Sequence, residues 1–257
     1  MPKIMICGRG GSGKSTLATL LAKVLAERGK VLVVDTDESN LGLPEMLGLT
    51  SPATTLMGCL GGKPAVRDKL LASIQKKGDE NTGFFAGDLN LASLPAECTG
   101  GEWPLRFLRI GKIERSLEGC ACPMGAVARS FLKQLQVGKN EWVLVDTEAG
   151  VEHFGRGVVE GVDLVLMVVD PSHEAVLLAE RAKALAAQLS KDFIAVLNKV
   201  DAATEPFLRR ELSERGIPVL GAFGFSPEIM EANLTGSPLP EGRCREQVNQ
   251  LLASLSF

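Results

Sequence analysis

Tyrosine is absent from the 257 residues, and aromatic residues of all kinds make up 5 %. Surfaces that hold single strands of nucleic acid stack bases on aromatic rings, so this composition speaks against such a platform. Net positive charge is lacking as well: 28 Lys and Arg stand against 31 Asp and Glu, a formal charge of −3. An acidic surface favours neither nonspecific nucleic-acid binding nor attachment to an anionic membrane. The longest apolar run, Leu164 to Val169, suits a buried strand and falls far short of the ~20 residues of a membrane span. The opening Met1-Pro2-Lys3-Ile4-Met5-Ile6-Cys7 runs straight into a glycine-rich segment, which leaves no room for a signal peptide. Six cysteines in such a chain point to metal or redox chemistry before a disulfide framework. The expectation is a cytoplasmic protein with no nucleic-acid and no membrane partner.

What is present is an ordinary globular balance, 45 % hydrophobic and 23 % charged, in a chain long enough to bury a sizeable core. No repeat or low-complexity linker divides it, so residues 1–257 read as a single domain. Strands are predicted at Lys3–Cys7, Lys30–Asp35, Phe107–Ile113, Trp142–Asp146, Leu164–Asp170, Phe193–Leu197 and Pro218–Leu220. Helices are predicted at Lys14–Arg28, Ala65–Lys76, Met124–Gln136, Glu174–Leu189, Pro206–Arg215 and Glu241–Ser254. That alternation describes an α/β protein, a mostly parallel central sheet with helices on both faces. Ligands of such sheets bind beyond the carboxyl ends of the strands, and every motif below falls at one. Residues 50–104 fit less well: Gly61-Gly62, Thr99-Gly100-Gly101, several prolines and weak periodicity read as a loop-rich insertion after the second strand.

The segment Gly8-Arg9-Gly10-Gly11-Ser12-Gly13-Lys14-Ser15 matches GxxxxGK[ST] between a predicted strand and a predicted helix, the context that makes the pattern meaningful. Its glycines let successive N–H groups face phosphate oxygens, and the helix N-terminus, with Thr16, adds its dipole. Lys14 is placed to reach the β- and γ-phosphates, and the Ser15 hydroxyl to ligate magnesium. Asp35-Thr36-Asp37-Glu38-Ser39-Asn40 ends the second strand, where a carboxylate can orient the attacking water. Asp146 ends the run Trp142–Val145 and precedes Thr147-Glu148-Ala149-Gly150. That is a Walker B aspartate, holding magnesium through water, and Gly150 lets the chain turn toward the γ-phosphate. Asn198-Lys199-Val200-Asp201 ends another strand and marks a base pocket without naming the base.

The glycine loop resembles the deviant Walker A motif KGGxGK[ST] of the family that holds the nitrogenase iron protein, MinD and ParA. The resemblance implies a P-loop NTPase of the SIMIBI type, an ATPase that dimerises around nucleotide. The family's signature lysine, which contacts phosphate across the dimer, corresponds to Arg9, so the cation is kept with a different geometry. A solvated arginine beside an anionic ligand is the bland alternative. The water-positioning aspartate corresponds to Asp37, and the family's base-contacting asparagine to Asn198. NKxD with Asp201 is otherwise familiar from guanine-specific GTPases, which leaves GTP as the alternative to ATP.

Cys120-Ala121-Cys122 precedes Pro123 and a predicted helix. Thiols at a helix N-terminus are drawn toward thiolate by the dipole, and two of them can ligate one soft metal ion. Structural thiols or a redox pair would look the same. Two ligands leave a tetrahedral zinc or square-planar nickel(II) site half built, and a twofold axis would supply the other two. With the phosphate loop, Gly119–Pro123 and Glu148-Ala149-Gly150-Val151-Glu152-His153-Phe154-Gly155-Arg156-Gly157, the chain resembles the CooC-type ATPases. These are nickel-maturation factors for carbon monoxide dehydrogenase. The resemblance implies an ATP- and Mg2+-dependent homodimeric metallochaperone that binds Ni2+ or Zn2+ at Cys120 and Cys122 and serves a nickel-containing carbon monoxide dehydrogenase.

Glu152 and His153 offer two further candidate ligands; their closeness to Asp146 reads instead as a switch element coupling hydrolysis to the dimer interface. Cys7 reads as buried filler, and Cys59, Cys98 and Cys244 show no partner spacing. No cysteine lies between Asp146 and Leu197, which ranks an iron–sulfur cluster below a single metal ion. The rival readings are a MinD- or ParA-like nucleotide-gated positioning protein and a GTP-dependent metallochaperone. The first would carry a basic amphipathic tail, whereas Glu241–Phe257 mixes acidic and basic residues.

Overall fold

The computed structural model describes residues 2–75, 84–85, 87–113, 122–242 and 244–255. Eight strands form one sheet: β1 (Lys3–Gly8), β2 (Lys30–Asp35), β3 (Thr99–Glu102), β4 (Leu105–Arg109), β5 (Glu141–Asp146), β6 (Leu164–Val169), β7 (Asp192–Val200) and β8 (Val219–Gly224). Their order is β3-β4-β2-β5-β1-β6-β7-β8, and only β3 runs antiparallel to its neighbour. The helices are α1 (Lys14–Ala26), α2 (Leu43–Leu47), α3 (Leu56–Cys59), α4 (Gly62–Gln75), α5 (Cys122–Gln134), α6 (Glu152–Gly155), α7 (His173–Gln188), α8 (Thr204–Glu214), α9 (Pro227–Thr235) and α10 (Cys244–Ser254). This is the expected α/β fold. None of these helices is long and apolar enough to cross a membrane.

The central strands are apolar at nearly every position because both faces are covered, the usual consequence of parallel pairing. Alternate residues divide between two cores. Met5, Cys7, Leu32, Val143 and Val145 face α3, α4, α5, α7 and α8, whereas Ile4, Ile6, Val31, Val33 and Leu144 face α1, α2 and α10. In-register pairing of β2 with β5 sets Asp35 beside Asp146 at the carboxyl edge. The site is built at that edge.

Three stretches depart from the sequence expectation. Thr99-Gly100-Gly101, read as part of a loop-rich insertion, lie in strand β3; an added Cβ on Gly100 would lie 2.2 Å from the Thr50 carbonyl oxygen, so glycine here serves a close approach. The strand predicted at Phe107–Ile113 lies earlier. Leu105 and Arg106 pair with Val31 and Leu32, while Gly111 turns under the Met124 and Met57 side chains and Ile113 emerges to solvent. Residues 50–104 hold α3, α4, two 3-10 turns and β3, and their Val66, Leu91, Leu94 and Cys98 join the core. Of the predicted Ala65–Lys76 helix, Lys76 lies outside the described residues.

Candidate functional site: a phosphate loop and its switch segments

Between β1 and α1 the chain turns tightly, and two glycines permit it. Gly8 has φ 152° and Gly13 φ 101°; a Cβ on them would lie 2.6 Å from the Val168 carbonyl oxygen and 2.1 Å from Asn198 Nδ2. Asn198 Nδ2 donates to the Ser12 carbonyl at 2.7 Å, and Lys199 Nζ donates to the Gly11 carbonyl at 2.8 Å. The β7 end therefore braces the loop from behind. Lys14 is buried and donates from Nζ to the Arg9 carbonyl at 3.2 Å, a bond an incoming phosphate can replace. Gly10, Gly11, Gly13, Lys14, Ser15 and Thr16 line a cavity of about 580 Å³ that also touches Asp37, Asn40 and Asn198. Gly8, Arg9 and Ser12 shape the loop from outside that cavity.

The far end of the cavity was not foreseen. Phe223, Phe225, Ile229, Met230 and Asn233 line it, an apolar cleft of the size and character that receives a ring system. The signal available was Phe223-Gly224-Phe225, just past the end of the strand predicted at Pro218–Leu220. Asp201, by contrast, turns away. Its Oδ1 accepts from Ala203 N at 3.0 Å and from Thr204 N and Oγ1 at 2.8 Å, starting α8, and it does not line the cavity. Those bonds, the Thr204 N–H first, hold its carboxyl below the usual range.

At the loop's mouth, Ser15 Oγ donates to Asp146 Oδ2 at 2.6 Å, and Asn40 Nδ2 donates to Ser15 Oγ at 3.0 Å and to Asp146 Oδ2 at 3.3 Å. Asp146 is fully buried, and its Oδ1 has no partner among the described residues. Burial pushes this carboxyl up to about 7 against the Ser15 hydrogen bond. An orphaned carboxylate oxygen beside a serine hydroxyl is an oxygen donor set that fits Mg2+. Asn40 was missed; its position two residues past the acidic cluster carries no recognisable signal.

The segment after β2 folds on itself. Asp37 Oδ1 accepts from Ser39 N at 2.8 Å, Ser39 Oγ at 2.7 Å and Asn40 N at 3.3 Å. Behind it Lys112 Nζ lies 2.8 Å from the fully buried Asp35 Oδ2 and also donates to the Asp37 carbonyl. Burial pushes Asp35 up to about 6, opposed by Lys112 and Arg109. After β5, Gly150 at φ 92° donates its N–H to the Gly8 carbonyl at 3.2 Å, joining this segment to the loop. Arg9 is ion-paired while 34 % of its side chain stays exposed: Nη2 meets Asp170 Oδ2 at 2.5 Å, Nε meets Oδ1 at 3.3 Å, and Glu174 stands 3.7 Å from Nη1.

The sequence matches the CobQ/CobB/MinD/ParA nucleotide binding domain over residues 4–239. The chain belongs to this family. An uncharacterized ATP-binding protein of Methanocaldococcus jannaschii is 41 % identical over 92 % of this chain and 93 % of its own length. The carbon monoxide dehydrogenase accessory protein CooC of Rhodospirillum rubrum is 30 % identical over 98 % of this chain and 95 % of its own. Among solved structures, the septum site-determining protein MinD of Pyrococcus horikoshii, complexed with Mg-ADP, superposes with a TM-score of 0.66. It covers 100 % of this chain and 99 % of that one at 20 % identity, a likeness of fold.

In this MinD/ParA-type chain Cys244 is buried at the start of α10 and touches the cavity, and the other five cysteines fall into three settings. Cys120 lies outside the described residues; Cys122 is exposed and opens α5, one residue ahead of Pro123. The helix thus begins two residues before the predicted Met124. Cys59 and Cys98, without partner spacing in sequence, are brought together by the packing of α3 on the 3-10 turn Ala96–Cys98, with their thiols in hydrogen-bonding contact. Cys7 is buried filler as expected, its thiol pushed up to about 12 by burial and resting 3.6 Å from Met167 Sδ. His153 is 1 % exposed, and neither ring nitrogen has a partner among the described residues. No group of three or more His, Cys, Asp or Glu side chains able to hold a metal occurs among the described residues.

Proposed function

We propose that this chain is an ATP-hydrolysing metallochaperone. In this reading it is a single domain that pairs with a second copy and holds nickel(II) or zinc(II) between the two through Cys120 and Cys122. The observation that carries the reading is the place of Cys122: exposed at the first residue of α5, where the helix dipole favours thiolate. The helix it opens packs against the segment that follows the Walker B strand. The name of the R. rubrum relative supports a carbon monoxide dehydrogenase as client. An iron-sulfur cluster carrier protein of Mycobacterium tuberculosis, 24 % identical over 97 % of this chain, supports metal cargo more generally.

Phosphates settle against the N–H groups of Gly10 to Thr16, and Lys14 exchanges the Arg9 carbonyl for their oxygens. Ser15, with Asp146 behind it, holds Mg2+, whose charge offsets that of the phosphates. Asp37 orients the attacking water at the edge of the cavity. Arg9 leaves Asp170 for nucleotide bound to the other copy. Because Asp201 is spent on α8, no carboxylate stands at the end of the cavity lined by Phe223 and Asn233 among the described residues, which supports ATP over GTP. Loss of the γ-phosphate releases the segments after β2 and β5, and the shared metal site loosens toward the client.

Turnover of ATP and GTP, with zinc and nickel titrations followed by molecular mass, tests this. Faster turnover of ATP and one metal ion per two chains in a species of doubled mass are expected. One metal per chain without dimerisation would overturn the shared site, and a preference for GTP would overturn the assignment of the base.

A further inference from the structure

Arg156 follows α6, and its guanidinium is shared by two carboxylates from different segments. Nη1 donates to Glu148 Oε2 at 2.6 Å and to Glu38 Oε1 and Oε2 at 3.3 Å each. Glu148 comes two residues after β5 and Glu38 three residues after β2, and their side chains are only 14 % and 15 % exposed. Two carboxylates brought this close repel in a medium less polar than water, so the cation between them stabilises their approach, beside the Thr36 and Asn40 hydrogen bonds to Asp146 that also join the two segments. The stem of the same residue meets α5. A Cβ on Gly125 would lie 2.8 Å from Arg156 Cβ and 3.0 Å from its Cδ, so the helix rests on the arginine with room for glycine alone. Farther along, a Cβ on Gly161 would lie 2.5 Å from Leu132 Cβ, and Lys133 Nζ meets Glu160 at 2.6 Å. Helix α5 and residues 152–161 therefore pack as one body, which transmits displacement rather than absorbing it. Cys122 is the first residue of that helix, about one turn before Gly125.

We infer that Arg156 is the positioning residue that converts the state of the two nucleotide-facing segments into the placement of Cys122. It does not line the phosphate-loop cavity, so its effect runs through Glu38 and Glu148 on one side and Gly125 on the other. When nucleotide draws the segment bearing Glu38, the guanidinium follows and the head of α5 moves with its stem. The mechanical part stands on these contacts alone; its use in metal handling rests on the proposed metal site.

The test follows alkylation of Cys122 by N-ethylmaleimide, read by fragment mass spectrometry, with and without Mg2+ and a non-hydrolysable ATP analogue. No metal cargo is needed. In the parent protein nucleotide should change the rate about fivefold or more, the lower range of coupling between sites. In Arg156→Met, which keeps the stem and loses the fork, the ratio should fall to near one although the analogue still binds; Arg156→Lys should lie between. Glu38→Gln, which removes one carboxylate, should also lower the ratio and carries the test if Arg156→Met does not fold. A parent rate indifferent to nucleotide, or a ratio unchanged in these variants, overturns the inference. A ratio lost in Arg156→Met, in a parent that binds neither nickel nor zinc, upholds the coupling and removes the metallochaperone reading.

Discussion

His153 shows how a single residue in the segment after β5 can cost stability. Its ring lies against Phe154, centroids 4.8 Å apart, with both nitrogens unpartnered among the described residues. Burial first, then the nearby Lys14 and Arg156 cations, pushes the imidazole from 6.5 down to about 3. Below pH 6.5 the unfolded chain therefore takes up a proton that the folded chain refuses. The sign follows: the imidazole costs nothing above 6.5, and stability falls as pH drops from there toward 3, by up to about 1.4 kcal/mol per unit. Replacing an unsatisfied buried polar group by an apolar one of similar size is neutral or stabilising. His153→Leu should match or exceed the parent in urea midpoint at pH 7 and gain roughly 1–2 kcal/mol over it at pH 5. If the parent loses no more stability than the variant between those pH values, the ring is not buried neutral.

At the scale of elements, the carboxyl end of β2 is held by a residue that lies outside that strand. Lys112 follows β4 and sits 5 % exposed at the side chain against the Asp35 carboxylate. Lys112→Met should cost about 3 kcal/mol in urea unfolding, because a buried carboxylate loses its main partner. Asp35→Asn in the same chain should return a good part of it. A single variant as stable as the parent would mean that Arg109, 3.5 Å away, suffices.

Lys112 also marks where the sequence stops being legible. Motifs whose pattern is local, the glycine loop and the strand-ending Asp146, can be located from spacing, because strand, turn and helix follow one another within each, whereas Asp37 and Asn198 are singled out within their segments by the family resemblance. Asn40, Lys112 and the Cys59–Cys98 contact depend on which strand lies beside which, and no local pattern encodes that. Thr99–Glu102 is obscured for a related reason: Gly100 answers to the Thr50 backbone and Gly101 to Leu105 and Leu49, and the pair imitates a loop. Where strands are apolar on both faces, period-2 alternation vanishes too. Continuous runs such as Leu164–Val169 remain visible by length, whereas the edge strand β3 does not.

At the scale of the whole molecule the distinction between a shared and a private metal site is one of mass action. A metal ion held by two thiols from each of two chains couples its own binding to dimer formation, so dilution weakens it. A site built within one chain has an affinity independent of protein concentration. Nucleotide enters the same balance: if it favours the dimer it must tighten metal binding, and metal must tighten nucleotide binding by the same factor. Zinc affinity should therefore fall when the ligand-free protein is diluted about a hundredfold, and a non-hydrolysable ATP analogue should largely remove that fall by holding the pair together. Chelator competition at two protein concentrations measures both. An affinity unchanged on dilution, with or without the analogue, would place the metal within one chain and leave Cys122 without a counterpart across a twofold axis.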